Sequence, residues 1–121
     1  MDKGSLVEIG RTLLRSLKAE GVGVYAALWV RDLDDQWRLW IAPDMFTDSR
    51  SFYLALAKVL TKHRAQTGYF EISNVRVIEP TNSILAELRR FGKVSPDFPL
   101  MLQSERLGSY FLNEGILLEV A

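Results

Sequence analysis

The segments VGVYAALWV (residues 22–30) and WRLWIA (residues 37–42) decide the fold of this sequence. Side chains in both segments alternate in character with a period of two, which is the period of a β-strand. The polar residues 32–36 between them are typical of a hairpin loop. We therefore predict an antiparallel β-hairpin. Pairing Leu28 with either Leu39 or Ile41 keeps the aliphatic side chains together, so the faces are better determined than the register.

The two faces of this predicted hairpin differ in composition. One face is mainly aliphatic and comprises Val22, Val24, Ala26, Leu28, Val30, Trp37, Leu39 and Ile41. The other face comprises Tyr25, Trp29, Arg31, Arg38 and Trp40. Large aromatic side chains mixed with arginines have the composition of a protein interface. We predict that these five residues contact another protein or a second copy of the chain, unless a helix or the segment 93–107 covers them.

The residues before the hairpin predict a helix over 5–20, because apolar side chains recur every three to four positions. Ser5 and Glu8 have the spacing of a capping box at its start. Gly21 follows its end, where a residue of positive φ is favoured. The apolar residues that share one helical face are Leu6, Ile9, Leu13 and Leu17.

The residues after the hairpin predict two more helices with a strand between them. Thr47 or Asp48 caps a helix that runs to about Gln66. A strand covers about 72–79, and a shorter helix beginning at residues 81–83 ends at Gly92.

The C-terminal third is predicted to be a loop followed by a hairpin. Pro96 and Pro99 interrupt any regular pattern, so we expect a loop over 93–107. The segment 110–120 is apolar on both sides and is predicted to turn at Gly115, which supplies a positive φ. Such a hairpin belongs in the centre of a sheet, or between covering layers on both faces.

These elements predict a single α+β domain over residues 1–121, in the order α-β-β-α-β-α-β-β. Tight hairpins require antiparallel neighbours, so the sheet is mixed or mainly antiparallel, with about five strands. Helices pack on at least one of its faces.

The composition excludes several classes of function. The chain has 121 residues, equal numbers of basic and acidic residues, and no cysteine. Disulfides, thiolate metal sites and cysteine nucleophiles are therefore excluded. No stretch has the apolar length of a signal peptide core or of a membrane span, so we expect a cytoplasmic protein that does not enter a membrane.

The motifs that resemble cofactor or metal sites are incomplete. Gly21 and Gly23 follow a helix and open a strand, whereas a dinucleotide fingerprint follows a strand and opens a helix. Asp32, Asp34 and Asp35 lack the further ligands and the closing glutamate of a calcium loop. We expect no cofactor and no metal site.

Catalysis has one candidate residue. His63 is the only histidine, and it lies near the end of the second predicted helix. As an acid or base it would need an orienting carboxylate that the sequence does not identify. An enzyme that uses His63 is therefore an alternative function. We assign no residue a catalytic role.

Nucleic-acid binding is a second alternative. Basic residues cluster at the ends of the second and third predicted helices, where they would contact phosphates. These residues are Lys58, Lys62, Arg89, Arg90 and Lys93.

The leading prediction is a small intracellular domain that binds or assembles without catalysis. Its partner is another protein or its own copy, in which case the protein is a homo-oligomer. The aromatic composition of the first hairpin and the absence of a complete catalytic motif both support this hypothesis.

Overall fold

The sheet is organised around β1, which has a strand on each side. The computed structural model describes residues 2–68 and 70–121. The strand order is β3-β2-β1-β5-β4, and every neighbouring pair is antiparallel except β2 and β3, which are parallel. The strands are β1 (Val24–Arg31), β2 (Trp37–Pro43), β3 (Val75–Val77), β4 (Leu100–Leu107) and β5 (Tyr110–Val120).

Helices precede, separate and cover the strands. They are α1 (Lys3–Ala19), α2 (Ser49–Lys62), α3 (Arg64–Thr67) and α4 (Ile84–Leu88), with single 3-10 turns at Ile72–Asn74 and Arg89–Phe91. The sheet has five strands and is mixed. The predicted α+β class and order of elements are therefore confirmed.

The residues that cap the two ends of α1 differ in part from those predicted. Asp2, not Ser5, caps the helix: its Oδ1 accepts a hydrogen bond from the Ser5 amide at 2.8 Å. The predicted capping box is wrong because an aspartate three residues upstream already binds that amide. Glu8 pairs instead with Arg11 at 2.6 Å. Gly21 has φ of +77° after the helix, as predicted.

The second predicted helix begins as expected but is divided into two helices near its C-terminal end. Asp48 caps α2, accepting a hydrogen bond from the Ser51 amide at 2.7 Å. The helix stops at Lys62, and after His63 the chain makes the short helix α3 before Gly68. The predicted strand 72–79 is reduced to β3, because its first residues form a 3-10 turn.

The register of the first hairpin differs from the prediction. Leu28 lies opposite Trp40, and Trp29 lies opposite Leu39. The expected pairing of Leu28 with Leu39 or Ile41 is wrong by one residue, which exchanges the faces of β2. The prediction put the aliphatic side chains on one face and Tyr25, Trp29 and Trp40 with the arginines on the other. Both faces are in fact covered, so both need apolar side chains.

Each face of the sheet carries its own hydrophobic layer. The face under the first two helices, the α1–α2 face, buries Ala27, Trp29, Leu39, Ile41, Val75, Ile116 and Leu118 of the sheet. The face under the fourth helix, the α4 face, buries Ala26, Leu28, Val30, Trp40, Ala42, Leu102, Leu107, Leu112, Leu117 and Val120. The sheet is therefore the middle layer of three.

The C-terminal prediction is wrong in its turn. The segment 93–107 is not all loop, because β4 occupies its second half, and the turn lies at Gly108, with φ of +67°. β5 runs without interruption through Gly115, which lies opposite Leu102 on one side and Val30 on the other. As expected for a segment that is apolar on both sides, β5 is an inner strand.

Gly115 is required for close packing rather than for a turn. A Cβ atom at this position would lie 2.8 Å from the carbonyl oxygen of Trp29 and 2.9 Å from Cδ2 of Leu112. Backbone from the central strand cannot move away without breaking the ladder between β1 and β5.

Replacing this glycine tests that explanation. We expect Gly115→Ala to lower the free energy of unfolding by about 1–3 kcal/mol, because the added methyl group overpacks the sheet. Urea denaturation followed by circular dichroism measures the change. A variant within about 0.5 kcal/mol of the original protein would show that the sheet accommodates a side chain here.

Candidate functional site

The predicted aromatic interface does not form. Trp29 lies on the α1–α2 face and Trp40 on the α4 face, with exposures of only 2% and 3%. Tyr25 is partly buried on the α4 face. The prediction that these three side chains share one exposed surface is wrong, because the observed register puts the two tryptophans on opposite sides of the sheet.

Trp29 fastens α1 to the sheet. Its indole Nε1 donates a buried hydrogen bond to the carbonyl oxygen of Leu6 at 2.8 Å. Gly10 makes this approach possible, since a Cβ there would lie 3.0 Å from the same nitrogen. The ring also contacts Phe70 edge to face, with centroids 6.0 Å apart. Trp29 therefore has a structural role.

Trp40 lies in the opposite layer, between an aromatic ring and a cation. Its centroid is 5.1 Å from that of Tyr110. The guanidinium carbon of Arg76 lies 4.7 Å from the Trp40 ring centroid. On the same face, the hydroxyl of Tyr25 accepts a hydrogen bond from Nε of Arg89.

The two arginines predicted at the interface hold the hairpin loop. Arg38 pairs with Asp32 at 2.6 Å and with Asp34 at 3.2 Å. The hydrogen bond from Arg38 is the main reason that the pKa of Asp34 lies below its ordinary value. Arg31 pairs with Asp35 at 2.7 Å and with Glu114 at 3.1 Å. Both positive charges are therefore compensated within the chain.

The basic residues of the nucleic-acid alternative are not brought together. Lys58 and Lys62 are on α2, whereas Arg89, Arg90 and Lys93 follow α4 on the other side of the sheet. Two of them already bind carboxylates: Lys62 pairs with Glu20 at 2.8 Å, and Arg90 pairs with Glu105 at 2.8 Å. The predicted basic residues are therefore divided between two surfaces of the protein. They attract the phosphate backbone of one nucleic-acid molecule less strongly than a single cluster would.

His63 has a carboxylate partner that the sequence did not reveal. Its Nε2 lies 2.9 Å from Oε1 of Glu20, and Nζ of Lys62 lies 2.8 Å from the same oxygen. These hydrogen bonds, that of Lys62 first, hold the pKa of Glu20 below its ordinary value. The neighbouring cavity, of about 180 Å³, is lined by Glu20 but not by His63.

This cluster joins the C-terminal ends of α1 and α2. The imidazole is not among the groups that line the adjacent cavity, and its Nε2 is already hydrogen-bonded to Glu20. The arrangement holds the two helix ends together. In the part of the chain that the structure describes, no group of three or more histidine, aspartate or glutamate side chains is placed to hold a metal ion.

The two edges of the sheet differ in how they are closed. At the β3 edge, the hydroxyl of Tyr53 donates to the carbonyl oxygen of Val75 at 3.1 Å and accepts from the amide of Val77 at 3.3 Å. A single side chain thus satisfies the backbone groups that β3 directs away from the sheet. Protection of this kind prevents another strand from adding.

The β4 edge is covered by a side chain at its C-terminal end. Nη2 of Arg90 donates to the carbonyl oxygen of Arg106 at 3.1 Å and pairs with Glu105. The Arg106 carbonyl therefore points away from β5 at this end of the strand. β4 is an outermost strand of the sheet, and in an antiparallel ladder alternate residues direct their backbone groups away from the neighbouring strand. Ser104 has φ of +54° and interrupts this alternation, so residues 100–103 form a separate stretch of edge in which every second residue faces outward.

The rest of this edge carries exposed apolar side chains. Phe98 is 81% exposed and Met101 is 56% exposed, with Leu100 between them also exposed. Leu100 and Met101 are adjacent in a strand, so they project from opposite faces. The residues FPLMLQS, 98–104, contain no charged side chain, and we call them the open edge.

The sequence predictions missed the open edge. Pro96 and Pro99 outweighed the short apolar run Leu100-Met101-Leu102, which the loop interpretation left unexplained. That run was the available signal, since three consecutive apolar residues ending in a buried Leu102 suit an edge strand better than a loop.

Comparison with known proteins gives no identification: no protein-family model, curated protein or solved structure matches the chain. Among the described residues, no helix is both long and apolar enough to cross a bilayer.

Two tryptophan substitutions test the structural role of Trp29. We expect Trp29→Phe to lower the free energy of unfolding by about 1–3 kcal/mol, because it removes the bond to Leu6 and leaves a cavity. Trp37→Phe is the control: Trp37 packs partly buried on the same face. Urea denaturation compares the two variants, and equal losses would show that the hydrogen bond contributes nothing specific.

Proposed function

We propose that this chain is a non-catalytic association domain that pairs with a second copy of itself through the open edge. The observation that carries the proposal is the difference between the two sheet edges. Tyr53 bonds to the backbone at the β3 edge, while residues 100–103 at the other edge lie in an outermost strand, with exposed apolar side chains at Leu100 and Met101.

Strand addition is the mode of association that suits these features. Unpaired amide and carbonyl groups of an edge strand form main-chain hydrogen bonds with an incoming strand. Leu100 and Met101 project from opposite faces of the sheet, so each would pack against side chains of the added strand. Burial of exposed apolar surface would supply the main driving force.

A second copy is the occupant that the charges favour. In a two-fold antiparallel contact, each residue faces another residue of the same short segment. Like charges placed opposite each other destabilise such a pair. The open edge has no charge, although Asp97 and Glu105 flank it directly, so the segment can face itself without repulsion.

The flanking charges also select a register. Centring the two-fold axis on Met101 would place Asp97 opposite Glu105 of the second copy. Centring it on Leu102 places Phe98 opposite Arg106 of the second copy, and Met101 opposite Gln103. The second register opposes no like charges and brings a cation to an aromatic ring. We therefore propose pairing centred on Leu102.

The other functions expected from the sequence have less support. The basic residues lie on two surfaces, and His63 is hydrogen-bonded to Glu20. The intracellular location stays a prediction from the sequence. Self-association requires neither a cofactor nor a catalytic group, so the proposal is consistent with the motifs weighed at the outset.

Two lysine substitutions at equally exposed positions test the proposal. Met101 and Leu54 are each 56% exposed, the first on β4 and the second on α2. We expect Met101→Lys to weaken self-association by about tenfold or more, since a buried ammonium group lacks a partner there. Leu54→Lys adds the same charge on a helix and should leave association unchanged.

Size-exclusion chromatography with light scattering, over a wide range of concentration, measures the effect. The original protein and Leu54→Lys should approach twice the monomer mass together, while Met101→Lys stays near the monomer mass. A molar mass that stays at the monomer value at every concentration would overturn self-association. The edge would then be available only to a strand from a different protein. Equal weakening by both variants, or by neither, would place the contact elsewhere.

A further inference from the structure

A second surface feature, distant from the open edge, lies on the α4 face at the β3 end of the sheet. It is a cavity of about 340 Å³. Its polar lining comes from the indole of Trp40, the exposed side chain of Arg76 and the turn that follows β3. The lining residues of that turn are Glu79, Thr81 and Asn82.

Trp40, which lines this cavity, has an unsatisfied hydrogen-bond donor. Its Nε1 is buried and has no hydrogen-bond partner among residues 2–68 and 70–121. Indole N–H groups usually find a partner when they are buried. Trp29 illustrates the rule within the same sheet, because its Nε1 binds the Leu6 carbonyl. A ligand oxygen near the Trp40 nitrogen would remove the penalty of an unpaired donor.

Arg76 brings a cation without an acidic partner. Its guanidinium stacks on the Trp40 ring at 4.7 Å, and no ion pair to it occurs within the described residues. Arg31 and Arg38, in contrast, are each held by two carboxylates. The planar fork of a guanidinium matches the two oxygens of a carboxylate.

We infer that this cavity binds the carboxylate group of a small ligand. Arg76 donates to both carboxylate oxygens, and Nε1 of Trp40 donates to one of them. Binding requires the Arg76 side chain to turn from the face of the Trp40 ring towards the ligand, and the buried Nε1 of Trp40 to become accessible to it. Since Arg76 is exposed and holds no described ion pair, this movement breaks no salt bridge.

Glu79 opposes the ligand and therefore supplies a second test. Its carboxylate lines the same cavity and would repel a bound anion. Removing that charge should strengthen binding several-fold, whereas a ligand attracted by a different chemistry would bind no better.

Nuclear magnetic resonance of the indole N–H groups tests the inference directly. Sodium acetate is titrated into ¹⁵N-labelled protein at constant ionic strength, with chloride as the balancing anion. We expect the Trp40 indole signal to shift and saturate, while the Trp29 signal stays in place because Leu6 already binds that N–H. The unchanged Trp29 signal also reports that the sheet and α1 remain packed.

Two arginine substitutions supply the matched comparison. Arg76→Gln should abolish the saturable shift, and Glu79→Gln should reach saturation at a several-fold lower acetate concentration. Arg50→Gln removes an exposed arginine of α2 and should bind acetate like the original protein. A shift that never saturates, or that survives Arg76→Gln, would overturn the inference. Tighter binding of inorganic phosphate than of acetate would overturn its carboxylate chemistry.

This inference stands apart from self-association. β3 and β4 form the two opposite edges of the sheet, so Met101→Lys should leave the Trp40 response unchanged. Loss of the acetate response in Met101→Lys would contradict the separation of the two sites.

Discussion

The pairing of β1 with β2 is the constraint on which the rest of the structure depends. Leu28 opposite Trp40 and Trp29 opposite Leu39 assign one tryptophan to each face of the sheet. Each face then presents a large aromatic side chain around which a separate layer is built. Trp29 fixes α1 through the Leu6 carbonyl, while Trp40 packs with Tyr110 beneath Arg76. Shifting this register by one residue would exchange the two faces of β2 and put both tryptophans on one side of the sheet.

Burial on both faces also explains which features the sequence could predict. Periodicity and caps located α1, the first hairpin and α2, because those signals are local. The faces of the hairpin could not be predicted, since neither face is polar and alternation alone then leaves the register open. Gly115 was misread for a similar reason: its close approach to Trp29 is a contact between distant segments, whereas a turn is the usual local reason for glycine in such a sequence.

Because Trp29 and Trp40 are buried, the proposed association is assigned to an edge of the sheet. One edge ends at a tyrosine hydroxyl that satisfies the backbone of β3. At the other edge, Arg90 binds the backbone at the C-terminal end of β4, and the open edge carries no charge. Edge strands are commonly protected by charge, proline or a covering element, and here Pro99 precedes β4 while the strand itself has no charged residue before Glu105. The absence of charge from residues 98–104 is therefore the feature that most favours a strand-to-strand contact.

Amide hydrogen exchange at low and high protein concentration tests this account most directly, because it reports on individual backbone groups. Within residues 100–103, the amides that face outward should exchange more slowly at high concentration, where a second copy binds them. The alternate amides, which bond to β5, should change little. Exchange throughout residues 100–103 that is equal at both concentrations, in a sample whose mass has doubled, would contradict pairing through β4.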